Sequence, residues 1–309
     1  MPSALACPAS LKGVLSAPTA AAALASGFGR AGVEAVELPL ADGGEGTLDA
    51  IPGGLLRELD VCDAYGRPRT ARVRVLSDRT VVEAAEVIPL DSDRLDVLEA
   101  SSRGLGELIA HLEAPRLVVG LGGTANMDGG AGLLDVLHEL PAPTLVLCDV
   151  VTRLYEAPRH YGPQKGATQE QVELLERRLR ERSELTPYAD LAGSGAAGGL
   201  GAALASLGAQ LVPGAATVMD LAGFDPGRFD LVVPGEGTVD ATTREGKAPA
   251  EVVRRCRAEG TAVVVFGGRV VEPLDRVETI ELSGDPASAA SDLVDLGVRL
   301  GARLLDAAG

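Results

Sequence analysis

The chain has 309 residues, 46% of them hydrophobic and 23% charged, with a formal net charge of −16. Its length suggests two domains, and its balance is that of a folded globular chain. The acidic excess speaks against a nucleic-acid or membrane surface, and aromatics at 3% with no Trp leave little for base stacking.

Short apolar runs bounded by Gly or Pro predict strands, and apolar residues at helical spacing predict helices. In chain order, the first half predicts a strand Ala4–Cys7, a helix Thr19–Ala31, a strand Val33–Leu40 and a short helix Glu45–Ile51. A β-hairpin follows, Ala71–Leu76 with Thr80–Ala84, then a helix Ser102–His111, a strand Leu117–Gly120 and a helix Gly130–Leu140. Next come a strand Leu145–Cys148 and a helix Gln169–Glu184, whose Val172, Leu175 and Leu179 form one apolar stripe on a charged surface helix. The uncharged run Gly193–Met219 is too rich in Gly and Ala, with Gln210 and Pro213 inside it, to span a membrane. It reads as a glycine-rich loop leading into buried helix, Gly199–Gly208. The last part predicts strands Asp230–Val233, Ala262–Phe266 and Thr279–Leu282, with helices Ala248–Glu259 and Pro286–Ala307.

The two ends share a strand, glycine-loop, helix rhythm, whereas the hairpin does not fit a βαβ series. The expected fold is therefore α/β with two domains. A flavodoxin/Rossmann-like parallel-sheet domain takes 1–56 and 214–309, with strand order 2-1-3-4-5. It is interrupted by an inserted α/β domain, 57–213.

Cys7, Cys62, Cys148 and Cys256 lie far apart without a CxxC, and His111, His138 and His160 lack ligand spacing. No zinc site or disulfide framework is expected, and the cytoplasm is the expected compartment. The first residues have no basic n-region, so no targeting segment is expected.

Of 28 basic residues only three are Lys, namely Lys12, Lys165 and Lys247, and each neighbours a glycine. The single Asn, Asn126, also lies in a glycine-rich stretch. Arg is a planar fork and Lys a compact charge on a flexible stem. Lysines kept beside glycines in an Arg-rich chain point to sites where a point charge meets a close backbone.

Those residues fall in polar glycine-rich stretches: Pro8–Gly13, Ala41–Thr47, Gly120–Gly130, Cys148–Val150, Gly162–Gly166, Gly193–Gly201 and Gly235–Lys247. Glycine lets backbone N–H groups reach phosphate oxygens, Lys neutralises phosphate or carboxylate, and Asp or Glu beside them holds Mg²⁺ or takes a hydroxyl proton. Together they fit phosphoryl transfer, which depends on positioning and charge neutralisation. A rival is the dinucleotide fingerprint, since Gly120–Ala125 fits GxGxxA. Asn126-Met127-Asp128-Gly129-Gly130 is poor material for the helix that fingerprint needs, and Asp128 would oppose a pyrophosphate.

On these residues the chain resembles the bacterial type I glycerate kinase family. The carrying segments are ADGGEGT from Ala41, GLGGTANMDGGAG from Gly120, CDV from Cys148, GPQKGAT from Gly162, GSGAAGGLGA from Gly193, and GEGTVD from Gly235 with GKAP ending at Pro249. The resemblance implies a two-domain α/β fold and ATP-dependent phosphorylation of D-glycerate with Mg²⁺, 2-phosphoglycerate being expected over 3-phosphoglycerate. Lys12, Asp42, Asp149, Lys165, Asp240 and Lys247 are the expected catalytic groups. Ser10, Gly122, Gly123, Thr124, Asn126, Gly235, Glu236, Gly237 and Thr243 are expected against ATP, and Asp42, Asp128 and Asp149 on Mg²⁺. The chain departs from the family pattern at Ala9, where the family has Asp, at Val151–Glu156, and at Thr238, where it has Arg. It is also shorter between Gly132 and Leu145. A relative that binds nucleotide or a small organic acid without turnover is the alternative.

Overall fold

The computed structural model describes residues 2–91, 93–245 and 247–308, so Gly246 of the GKAP segment lies outside the described residues. Its strands are β1 Ser3–Ala6, β2 Glu34–Glu37, β3 Leu55–Cys62, β4 Pro68–Val75, β5 Thr80–Glu83, β6 Leu117–Gly120, β7 Thr144–Cys148, β8 Gln210–Pro213, β9 Leu231–Val233, β10 Gly235–Val239, β11 Ala262–Val270 and β12 Glu278–Glu281. Its helices are α1 Ala17–Ala31, α2 Thr47–Ala50, α3 Ala84–Val87, α4 Arg103–Ala110, α5 Ala131–Leu134, α6 Ala157–Tyr161, α7 Gln169–Glu181, α8 Ala196–Ser206, α9 Gly214–Ala222, α10 Ala248–Glu259 and α11 Ala289–Ala308. They group into two compact units. The first holds the chain up to Asp42, Asp49–Pro52 and everything from Ala215 on; the second holds Gly43–Leu48 and Gly53–Gly214.

The first unit is a parallel sheet in the order β2-β1-β9-β11, with β12 on the far side of β11. Counted along the chain as the five expected strands, that is 2-1-3-4-5. Period-two alternation puts successive residues of β1 into different cores. Ala4 and Ala6 pack with Leu24 and Phe28 of α1 and Leu293 and Leu296 of α11, while Leu5 and Cys7 pack with Met219, Val252 and Cys256. Helices α1 and α11 approach closely because a Cβ on Gly27 would sit 2.1 Å from the Val294 carbonyl oxygen, and one on Gly297 2.4 Å from that of Leu24. Ser16 caps α1, its hydroxyl accepting from the Thr19 amide at 3.3 Å, and Gly32 ends it at φ 86°.

The GEG segment is strand, not the loop expected from sequence. β9 and β10 keep one register along β11, with Leu231 opposite Ala262 and Gly235 opposite Phe266. Pro234 interrupts the ladder because it has no N–H, yet its carbonyl still accepts from the Phe266 amide at 3.0 Å. The loop begins only after Val239.

The second unit is a mixed sheet in the order β3-β4-β5-β6-β7-β8, antiparallel as far as β5 and parallel from there on. The expected hairpin is β4 and β5. Sequence reading missed its neighbour β3, whose Leu and charged residues mix without strict alternation on a largely exposed edge strand. It also missed β8, inside the uncharged run Gly193–Met219, and α9, which begins in that run and ends beyond it. There α8 contains Ala197 at φ 49° and Gly198 and Gly199 also at positive φ. The expected helix Gly130–Leu140 shrinks to the four residues of α5. No helix among the described residues is long and apolar enough to cross a membrane.

Candidate active site

The segments Pro8–Gly13, Ala41–Thr47, Gly120–Gly130 and Cys148–Val150 follow the carboxyl ends of parallel strands, where open α/β sheets gather their loops, whereas Gly162–Gly166 lies between α6 and α7 and Gly193–Gly201 runs into α8. The two units offer separate constellations, and the ADGGEGT motif divides between them, with Asp42 in the first and Gly43–Thr47 in the second.

In the first unit a cleft of about 580 Å³ is lined by Ser10, Lys12, Glu236, Thr238, Asp240, Lys247 and Arg269, among others. The chain leaves β1, ties Ala9 to Gly235 through an amide-to-carbonyl bond of 2.8 Å, and turns tightly. Leu11 and Leu15 exchange backbone hydrogen bonds of 2.9 and 3.0 Å across that turn, with Gly13 at φ 74°, which leaves Lys12 exposed. Across the cleft, Glu236 is buried. The Thr243 hydroxyl donates to its Oε1 at 2.7 Å, and the Lys247 ammonium lies 3.7 Å from its Oε2. Burial raises the Glu236 carboxyl above its usual range; Thr243 and Lys247 oppose the shift, and the charges of Asp240 and Asp42 add to it. Asp240 differs. Its Oδ1 accepts from the Thr242 hydroxyl at 2.6 Å and the Thr242 amide at 2.9 Å, which holds its carboxyl below the usual range. One carboxylate of the cleft thus moves toward proton uptake and the other away from it. Gly235 has a packing duty: a Cβ there would lie 2.4 Å from the Phe266 ring.

In the second unit the ADGGEGT and GLGG motifs touch backbone to backbone. The Gly122 amide donates to the Gly43 carbonyl at 3.1 Å. A Cβ on Gly120 would lie 2.4 Å from that same oxygen, and one on Gly122 2.5 Å from Gly44 Cα. Beyond them, Asn126 is fully buried. Its amide donates to Asp128 at 3.0 Å and to the Ala197 carbonyl at 2.9 Å. Lys165, 4% exposed, donates to the Asn126 carbonyl at 2.7 Å. Burial pulls its ammonium down to about 7 against the pull of Asp128. Asn126 Oδ1 and Thr124 Oγ1 are buried side-chain atoms with no hydrogen-bond partner. Such orphaned acceptors are rare in a folded chain and are satisfied where a ligand or water arrives.

Asp128 does not suit the metal-ligand role expected of it. Its two oxygens accept from the Asn126 side chain, the Gly130, Gly132 and Ser102 amides and the Ser102 hydroxyl, at 2.8–3.1 Å. Five donors occupy the four or so lone-pair directions of a carboxylate, so its charge organises the loop. Asp149, on the segment leaving β7, adds to burial in raising the Cys148 thiol to about 12. Among the described residues no group of three or more His, Cys, Asp or Glu side chains gathers as a metal cage. Sequence reading overlooked Glu83, the last residue of β5, 2% exposed. Its signal was a carboxylate closing an otherwise apolar strand.

The GSGAAGGLGA segment is the packing partner of this loop. A Cβ on Gly198 would lie 2.4 Å from the Asn126 carbonyl oxygen, and one on Gly199 2.8 Å from Gly129 Cα. Only glycine permits those approaches.

The sequence pattern of the glycerate kinase family matches residues 4–139 and 141–291. The chain is 32% identical to the glycerate kinase of Neisseria meningitidis over 86% of this chain and 85% of that one. It is 32% identical to the glycerate 2-kinase of Escherichia coli over 86% and 84% respectively. A crystal structure from Salmonella typhimurium LT2, named "putative glycerate kinase 2", superposes with a TM-score of 0.83 at 28% identity, covering 99% of both chains. The chain is therefore an enzyme that belongs to the glycerate kinase family.

Proposed function

We propose that the chain transfers the terminal phosphoryl group of ATP to a hydroxyl of D-glycerate, giving 2-phosphoglycerate in preference to 3-phosphoglycerate. The observation that carries this reading is the pairing of buried Glu236 with Lys247 in a cleft that also holds Lys12. A cleft of this size suits a small-molecule substrate. Glu236, with its raised carboxyl, accepts the proton of the attacking hydroxyl, and a base poised nearer neutrality does this better than Asp240. Lys12 and Lys247 balance the charge of phosphate and carboxylate oxygens. In the second unit the Gly122 and Gly123 backbone and the Thr124 hydroxyl offer hydrogen-bonding groups to the polyanion, Lys165 offers charge, and Asn126 Oδ1, which only accepts, takes a hydroxyl of the substrate.

Mg²⁺ is held by few carboxylates when phosphate oxygens supply the rest of its shell. The lack of a multi-carboxylate cage among the described residues fits a metal that arrives with ATP. We assign it one carboxylate in each unit taken separately, Asp42 in the first and Asp149 in the second. Bound there, Mg²⁺ neutralises phosphate charge. Four free thiols suit a reducing cytoplasm.

The test is ADP release by purified protein with ATP, Mg²⁺ and a panel of hydroxy acids, with products read by ³¹P NMR. D-glycerate should be the best acceptor, and EDTA should stop the reaction. No ADP above the substrate-free blank with any hydroxy acid rejects this reading in favour of a binding protein.

A further inference from the structure

Glu83 sits at the carboxyl end of β5, opposite Gly120 in the parallel register with β6. Burying a carboxylate is costly unless donors meet it. Here the Gly46 amide donates to Oε1 at 3.1 Å and the Leu48 amide to Oε2 at 3.2 Å. Both belong to the segment Gly43–Leu48, which has little to hold it by propensity, since Gly43 and Gly46 both sit at positive φ. The start of that segment also contacts the Gly120–Gly123 loop, where the Gly122 amide donates to Gly43 and no side chain intervenes. A buried charge thus grips the end of the segment at Gly46 and Leu48, and the glycine loop touches its start at Gly43 and Gly44.

We propose that Glu83 is a positioning residue for phosphoryl transfer: it fixes Gly43–Leu48 and, through that segment, sets the place of Gly122, Gly123 and Thr124. The inference rests on the proposed function, which sets those three residues against ATP. In this role Glu83 acts on substrate only through that segment. Its effect is geometric, and an error of about 1 Å in a reacting geometry costs on the order of 100-fold in rate.

Glu83→Gln keeps the size but presents one oxygen and one NH₂ to two amides, so one amide faces a donor. Glu83→Asp keeps both acceptors on a shorter stem. With ATP and D-glycerate, Glu83→Gln should lower kcat at least ~10-fold. KM for glycerate should change less than kcat, and hydrogen exchange should quicken in Gly120–Thr124 as well as in Gly43–Leu48. Glu83→Asp should recover part of the loss. Unchanged kcat, or faster exchange confined to Gly43–Leu48, overturns the proposal and leaves Glu83 a structural anchor. If Glu83→Gln does not fold, Gly120→Ala moves the same contact from the loop side and must also lower kcat; unchanged kcat overturns the proposal. An inactive wild type rejects the proposed function itself. An active wild type with unimpaired variants rejects only the role of Glu83.

Discussion

The ammonium of Lys165 donates to the backbone carbonyl of Asn126 at 2.7 Å, and both residues are buried. A lysine in such a slot has exchanged water for one neutral carbonyl, and the nearby charge that favours its protonated form is that of Asp128.

The folded pKa of Lys165, about 7, lies below its ordinary 10.5. Between those values the unfolded chain holds a proton that the native chain lacks, so this group makes stability rise with pH across that window. Below about pH 7 the native state carries the full cost of the buried charge. Lys165→Met should flatten the slope, as read by urea unfolding at a series of pH values. On the proposed function the charged form serves an anion, so wild-type kcat/KM should fall as pH rises past about 7. Lys165→Arg should lose that fall but start at least ~10-fold lower, because a planar guanidinium does not replace an ammonium in a closed slot.

The Glu236 carboxyl is raised, so its native form keeps a proton at pH values where the unfolded form has lost it. Its charge costs stability in full above the folded pKa, and that cost is relieved as pH falls through it. Thr243→Val removes the hydroxyl that donates to Oε1 and should raise the carboxyl further. The acid limb of the kcat/KM profile should move to higher pH, and ¹³C NMR of the Glu236 carboxyl should move with it. An unmoved limb would take Glu236 out of the role of base.

Ala197 holds φ 49° without being glycine, and its carbonyl accepts from the Asn126 side chain at 2.9 Å. Left-handed backbone costs an L-residue roughly 1–2 kcal/mol, part of which glycine gives back as chain entropy. Ala197→Gly should therefore raise stability by about 0.5–1 kcal/mol, and Ala197→Val should lower it by more than that. Urea unfolding with an unchanged m value checks both.

The sequence by itself determined five strands of the first unit, β1, β2, β9, β11 and β12, and their order, because each reads as a short run with glycine or proline close to its ends, but not β10, whose glycines read as a loop. It also marked the glycine-rich segments and the three lysines, since an Arg-rich chain makes each Lys conspicuous. Where those segments made no side-chain contact with one another, their partnership was invisible. The contact of Gly43 with Gly122, and that of Gly198 with Asn126, depend on atoms that are absent, and a missing Cβ carries no address for its neighbour. The same holds for charge. Asp128 reads like Asp149 in a sequence, each in a segment that follows an apolar strand. Only the fold surrounds Asp128 with five donors and makes it a loop organiser. Only the fold buries Glu83, Glu236 and Lys165, because burial is a sum over neighbours distant in the chain, and it is burial that moves Glu236 up and Lys165 down.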